Sequence, residues 1–183
     1  MLIYSMGASL DGFIADRNGD FAWNAPSDEL FEFQLDYVTT LGCHLLGRRL
    51  YETMRVWETD PALRATELGA KFADVWTALP KVVFSRTLTR VEGNARLATA
   101  SLASEVARAV VSTDKDVAIG GATLAAEAIT LDLVDEYRVV RHPIIVSGGT
   151  PLLPPVTRDL RLTLMGERTF DSREIFEHYV RER

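Results

Sequence analysis

Apolar and polar positions along the chain switch repeatedly between the strand period and the helix period. Leu2 to Ser9 is short and β-rich, as a first strand would be. Asp11-Gly12-Phe13-Ile14-Ala15 follows, and Asp16-Arg17-Asn18-Gly19-Asp20 has the composition of a polar turn. Ser27-Asp28-Glu29 predicts a helix start: Ser27 can cap it, and the two acids sit at the positive end of the dipole. Phe31, Leu35 and Val38 then recur at helical spacing. Cys43 to Leu46 reads as a short strand ending in Gly47, and Arg48 to Met54 as a helix. Lys81 to Ser85, after Pro80, is a β-branched strand. Ser101 opens a helix with Leu102, Val106, Ala109 and Val110 on one face. Val117 to Ile119 reads as a buried strand ending at Gly120-Gly121, followed by a helix with Leu124, Ala128 and Leu131 in register. Glu136 to His142, Leu160 to Arg168 and Ile175 to Val180 read as strands.

Strands alternating with helices predict an α/β fold: a mostly parallel sheet flanked by helices. The strand-rich C-terminus predicts an antiparallel edge. No repeat, low-complexity tract or linker interrupts residues 1–183, so one domain is expected.

Composition narrows the functional classes. The chain has 183 residues, a net charge of −6, 47% apolar and 25% charged residues. These are globular values and exclude a disordered or fibrous chain. The single Cys43 excludes a disulfide framework and fits a reducing compartment. No apolar run approaches the length of a membrane span, and the N-terminus lacks a basic signal region, so a cytoplasmic location is expected. The acidic balance argues against nucleic-acid or membrane partners and leaves room for a local basic pocket.

Three strand ends carry anion-binding chemistry. Gly120-Gly121 stands between a strand and a helix, where it is either a plain turn or a close backbone approach to a phosphate. Gly47-Arg48-Arg49 repeats the layout with two guanidiniums, suited to bidentate phosphate contacts or simply solvated. Ser85-Arg86 adds a hydroxyl and a cation after a third strand. A phosphate-rich nucleotide across the carboxyl ends of the strands is the simplest single reading. Two acids are candidates for proton transfer. Asp28 falls on the apolar face by its spacing to Phe31 and Leu35, where desolvation would raise its pKa. It is equally readable as a first-turn acid. Asp11, beside Gly12, either faces the same cleft or is a turn residue.

Taken in order, these segments resemble the dihydrofolate reductase superfamily, on the branch related to the reductase domain of riboflavin biosynthesis. Ser9-Leu10-Asp11-Gly12-Phe13-Ile14-Ala15 is similar to that branch's opening motif. Leu46-Gly47-Arg48-Arg49-Leu50-Tyr51-Glu52 is similar to its GR-x-x-[YW]-E segment. Val83-Phe84-Ser85-Arg86, Ile119-Gly120-Gly121 and Gly148-Gly149-Thr150-Pro151-Leu152 match three further short motifs. Trp23-Asn24-Ala25-Pro26-Ser27-Asp28 resembles the segment that supplies the acid of dihydrofolate reductases.

The resemblance implies NADPH as cofactor and a small heterocycle as substrate. Gly47, Ser85, Gly120 and Gly121, with Ala122 and Thr123 opening the next helix, would bind the cofactor. Arg48, Arg49 and Arg86 would be candidates for its 2′-phosphate. Asp28 would be the acid and Asp11 the alternative. Leu50 stands where dihydrofolate reductases carry a phosphate-binding threonine, and Leu79-Pro80 where they carry an arginine for the folate glutamate. Those departures count against folate; the riboflavin-type reaction is taken first, by the resemblance, and dihydrofolate reduction is kept as the alternative reaction. A nucleotide-binding protein without turnover is the alternative of another class. The resemblance is also compatible with a homodimer.

Overall fold

The alternation of strand and helix signals resolves into an eight-stranded sheet with helices on both faces. The computed structural model describes residues 1–156 and 159–182. In chain order the elements are β1 (Leu2–Ser9), β2 (Phe13–Ala15), α1 (Asp28–Thr39), β3 (Leu41–Gly47), α2 (Arg48–Met54), α3 (Val56–Thr59), α4 (Glu67–Ala78) and β4 (Lys81–Phe84). There follow β5 (Ala95–Leu97), α5 (Leu102–Val111), β6 (Asp116–Gly120), α6 (Ala122–Thr130), β7 (Glu136–His142), β8 (Thr150–Pro151), β9 (Leu162–Thr169) and β10 (Ile175–Arg181).

The strand order is β5-β4-β3-β6-β1-β7-β10-β9. The first six run parallel to their neighbours, and β10 is antiparallel to both β7 and β9. The predicted architecture is therefore the observed one, antiparallel edge included. β2 and β8 form a separate two-stranded ribbon.

Side chains on successive strand residues point to opposite faces, and that alternation sorts the core. Leu45, Val82, Val117 and Ile119 pack with α5 and α6 through Leu102, Val106, Leu124 and Ala128. Their neighbours Leu46, Val83 and Ala118 pack on the other face against Phe72 and Trp76 of α4 and Val38 of α1. Burial on both faces explains why these strands read as continuous apolar runs. Each fully buried Leu or Ile contributes about 1.5–3 kcal/mol.

Two readings need correction. Leu131 does not continue the buried stripe of α6: it is the C-cap residue, 47% exposed, and Ile129 is buried instead. The strand expected from Leu160 begins at Leu162. Helix α4 carries no prediction from the sequence, although Thr66 caps it through the Gly69 N–H.

Candidate active site

Six parallel strands place their carboxyl ends on one edge, where open α/β sheets bind ligands. Ser85 and Arg86 follow β4, Gly47-Arg48-Arg49 close β3, and Gly120-Gly121 close β6. β4, β3 and β6 are consecutive in the sheet, with Gly47 level with Phe84 and Leu46 level with Gly120. The three strand ends singled out in the sequence thus stand side by side. β1, which leads to Asp11, is the next neighbour.

The helix starts that follow Gly47 and Gly121 differ from those of α1, α4 and α5. Side chains of Ser27, Thr66 and Ser101 cap α1, α4 and α5, whereas α2 and α6 begin after Gly47 and Gly121 with no side-chain cap. In α6 the Ala125 N–H donates to the Gly121 carbonyl. The N–H groups of Ala122, Thr123 and Leu124 therefore precede the first intrahelical bond. They face outward with the positive end of the dipole, a geometry suited to phosphate. Gly121 adopts φ +94°, which L side chains rarely enter. Gly120 is also required by packing: a Cβ there would lie 2.4 Å from Leu50 Cδ2 and 3.0 Å from His44 Nε2.

The three arginines separate by environment. Arg48 Nη1 lies 3.5 Å from Glu52 Oε1 in an exposed i,i+4 pair. Arg86 is exposed beyond β4, where Ser85 Oγ accepts from the Thr87 and Leu88 N–H groups at 3.1 and 2.9 Å and shapes the turn. Arg49 lines a cleft of about 750 Å³ with Asp16, Arg17, Asn18, Gly19, Gly149 and Thr150. The Ala15–Asp16 backbone closes on Gly149 so tightly that a Cβ there would lie 2.0 Å from the Ala15 carbonyl oxygen.

The acids also separate. Asp11 is exposed, and its Oδ1 and Oδ2 accept from the Val146 and Ser147 N–H groups at 3.2 and 2.8 Å. Hydrogen bonding from Ser9 first, and from those backbone groups, holds its carboxyl below the usual carboxylate range. Asp11 is therefore an ionised tie between two loops. Asp28 is exposed, not lodged on the apolar face; Leu30, two residues on, is the buried side chain of that turn. The reason is that α1 starts at Asp28, so its first turn projects past the packed stripe. That turn is fixed from both sides. Glu29 accepts from Arg168 Nη2 at 2.6 Å and from the Asp171 N–H at 2.9 Å, and Ser27 Oγ lies 2.9 Å from Ser172 Oγ. Among the described residues Asp28 itself has no ion-pair or hydrogen-bond partner for its carboxylate.

Just before α1, a 3₁₀ turn at Ala22–Asn24 sets the Trp23 ring edge-on to His142, 5.6 Å between centroids. His142 ends β7 level with Ser9, 2% exposed, with Nδ1 3.7 Å from Glu174 Oε1. Burial lowers its pKa against the opposing pull of Glu174. His44, beneath Gly120, is pushed down to about 3, first by burial and then by Lys81. Both are neutral in the fold, while the unfolded chain takes up protons near pH 6.5, their ordinary value. Stability is therefore fully present above that pH and falls below it, by about 1.4 kcal/mol per pH unit for His44. Glu105, held at about 2 mainly by Arg96, adds a loss only below its ordinary 4.5. Denaturant melts between pH 6.5 and 4.5 isolate the histidines, and His44→Met is expected to flatten the slope; an unchanged slope would refute the assignment to His44.

Arg17, Trp23 and His142 enter the site without having been singled out as site residues. The first lay in a segment whose composition says only turn. No local signal connects it with Arg49, which is 32 positions away (49 − 17).

No helix among the described residues is long and apolar enough to cross a membrane. Comparison with known proteins places the chain in a family. The uncharacterised protein YyaP of Bacillus subtilis (strain 168) is 29% identical over 174 residues, covering 93% of this chain and 89% of YyaP. A solved structure from Shewanella sp. PV-4, assigned to riboflavin biosynthesis, superposes with a TM-score of 0.80 at 22% identity, covering 100% of this chain and 99% of that one. Dihydrofolate reductase from Enterococcus faecalis, solved with NADP(H), gives a TM-score of 0.65 at 16% identity, covering 100% and 97%. The fold is thus dihydrofolate-reductase-like. The sequence model of the RibD C-terminal domain matches residues 1–176, and the chain belongs to that family.

Proposed function

We propose that the protein is an NADPH-dependent reductase of a small heterocycle, 5-amino-6-(5-phosphoribosylamino)uracil or a close relative. The observation that carries this reading is the row of adjacent strand ends at β4, β3 and β6, ending in an uncapped α6. The donor set suits the cofactor. The Ala122 and Thr123 N–H groups would receive a phosphate, and Arg48, Arg49 and Arg86 offer cations to a phosphate-rich ligand. A 2′-phosphate contact among them would separate NADPH from NADH. Bound there, NADPH supplies a hydride to a C=N or C=O carbon. The chain's own part is to hold the two rings in register and, through Asp28, to protonate the product. The family and the NADP(H)-bound reductase of the same fold support this reading.

Calorimetric titration with NADPH and, separately, NADH tests it. Tight NADPH binding is expected, with NADH weaker by at least about tenfold for a lost charge-assisted contact. Binding of neither would overturn the proposal. A second reading, nucleotide binding without turnover, is favoured by one observation: Asp28 is exposed rather than held in an apolar pocket. NADPH binding with no oxidation by any pterin or phosphoribosylaminopyrimidine would select it.

A further inference from the structure

We infer that Trp23 and His142 form a polar contact point for the substrate ring: the indole N–H donates one hydrogen bond and His142 Nε2 accepts another. The inference rests on the reductase reading and deepens it by naming what the site recognises. One donor beside one acceptor fits the C(=O)–NH edge of a cyclic amide.

Both residues stand where the acid stands. His142 ends β7, the neighbour of β1, level with Ser9 and close to Asp11. Val140, on the same face of β7, packs with Leu30 of α1, so His142 projects toward the side of the sheet that α1 covers. The turn that carries Trp23 is seated on this edge: a Cβ at Gly7 would lie 2.4 Å from Asn24 Oδ1. The turn between β9 and β10 then binds the parts together. Its Asp171 N–H donates to Glu29, Ser172 Oγ lies 2.9 Å from Ser27 Oγ, and Glu174 faces His142. One turn thus holds both the start of α1, with Asp28, and the imidazole.

The chemistry of the pair is unfinished within the chain. Trp23 Nε1 and His142 Nε2 are both buried and have no hydrogen-bond partner among the described residues. Each such atom costs about 1–3 kcal/mol, and buried polar atoms are normally satisfied. Here two occur in rings in direct contact, 5.6 Å between centroids. Their roles are complementary. Nδ1 faces Glu174 Oε1 at 3.7 Å, and Glu174 is itself fixed by Ser172 Oγ. The carboxylate favours the tautomer with its proton on Nδ1, which leaves Nε2 as the acceptor. The indole nitrogen can only donate.

The test measures binding of 5-amino-6-(5-phosphoribosylamino)uracil and of dihydropterin, which both carry a cyclic amide, beside NADPH affinity and denaturant melts. Trp23→Phe removes the donor, and His142→Asn removes the Nε2 acceptor while keeping a group opposite Glu174. Each is expected to weaken the ring ligand about tenfold and leave NADPH unchanged. His142→Gln, which can place an amide oxygen near the Nε2 position, should recover most of the affinity. Equal weakening of NADPH and the ring would overturn the inference. So would lost stability with unchanged ring affinity, the signature of a buried water at the pair. Binding of neither ring by the wild type would overturn it as well. Ring binding that depends on the pair, with no NADPH oxidised, would leave the inference standing and remove the reductase. Turnover indifferent to both residues would do the reverse.

Discussion

Asp28→Asn is expected to lower turnover about 10²–10⁴-fold, the contribution of a positioned proton donor, and to leave NADPH affinity unchanged. Asp28 is proposed rather than its neighbours because those are committed elsewhere. Glu29 is committed to Arg168 and the Asp171 N–H. Asp11 has both oxygens occupied by Val146 and Ser147 and is held ionised. Asp28 alone of the three presents a carboxylate without a protein partner among the described residues, on a turn locked by Ser27, Ser172 and Glu29. Asparagine keeps the shape and the helix start but cannot deliver a proton. The discriminating readout is the pH profile: the limb that reports the acid should vanish in Asp28→Asn and survive in Asp11→Asn. Unchanged turnover would remove Asp28 from the mechanism.

Glu58→Gln is expected to cost about 3–5 kcal/mol of stability, the effect of leaving a buried charge unpaired. Lys81 opens β4 almost wholly buried, its side chain 1% exposed, and its Nζ lies 3.0 Å from Glu58 Oε1. It also donates to the Trp76 and Leu79 carbonyls at 2.5 and 3.0 Å and stands 4.9 Å over the Trp76 ring. Burial lowers the Lys81 pKa, and Glu58 pulls it back up. Without Glu58 the folded state binds that proton less tightly than the unfolded chain. The variant should therefore regain stability as the pH rises toward the lysine range, more steeply than the wild type. Lys81→Met added to Glu58→Gln should recover part of the loss, because no charge is then left without its partner. Denaturant melts of the four proteins decide the matter, and an additive pair would show that the two residues do not interact. The consequence reaches the site, because β4 carries Ser85 and Arg86 at its other end.

Local chemistry was legible in the residues themselves. Ser27 and Ser101 cap the helices they were expected to cap, because a cap is a contact over three residues. Gly47, Gly121 and the β-branched runs marked strand ends for the same short-range reason. Alternating strands and helices were enough to imply a parallel sheet with an antiparallel edge. Helix α4 was legible too but went unread: Gly69, Phe72, Ala73 and Trp76 recur at helical spacing behind the Thr66 cap.

What the sequence by itself determined, then, was the fold class, and it nominated the segments proposed here for anion-binding and acid chemistry. Each depends on neighbours within a few positions. Only the tertiary structure decided that β4, β3 and β6 lie side by side, that Arg17 meets Arg49 across one cleft, and that Lys81 is buried against Glu58. It also decided that Asp28 stands in solvent while Asp11 ties down a distant loop. Strand order and burial are set by the summed packing of both sheet faces. No single segment contains that sum, so no reading of one segment could return it.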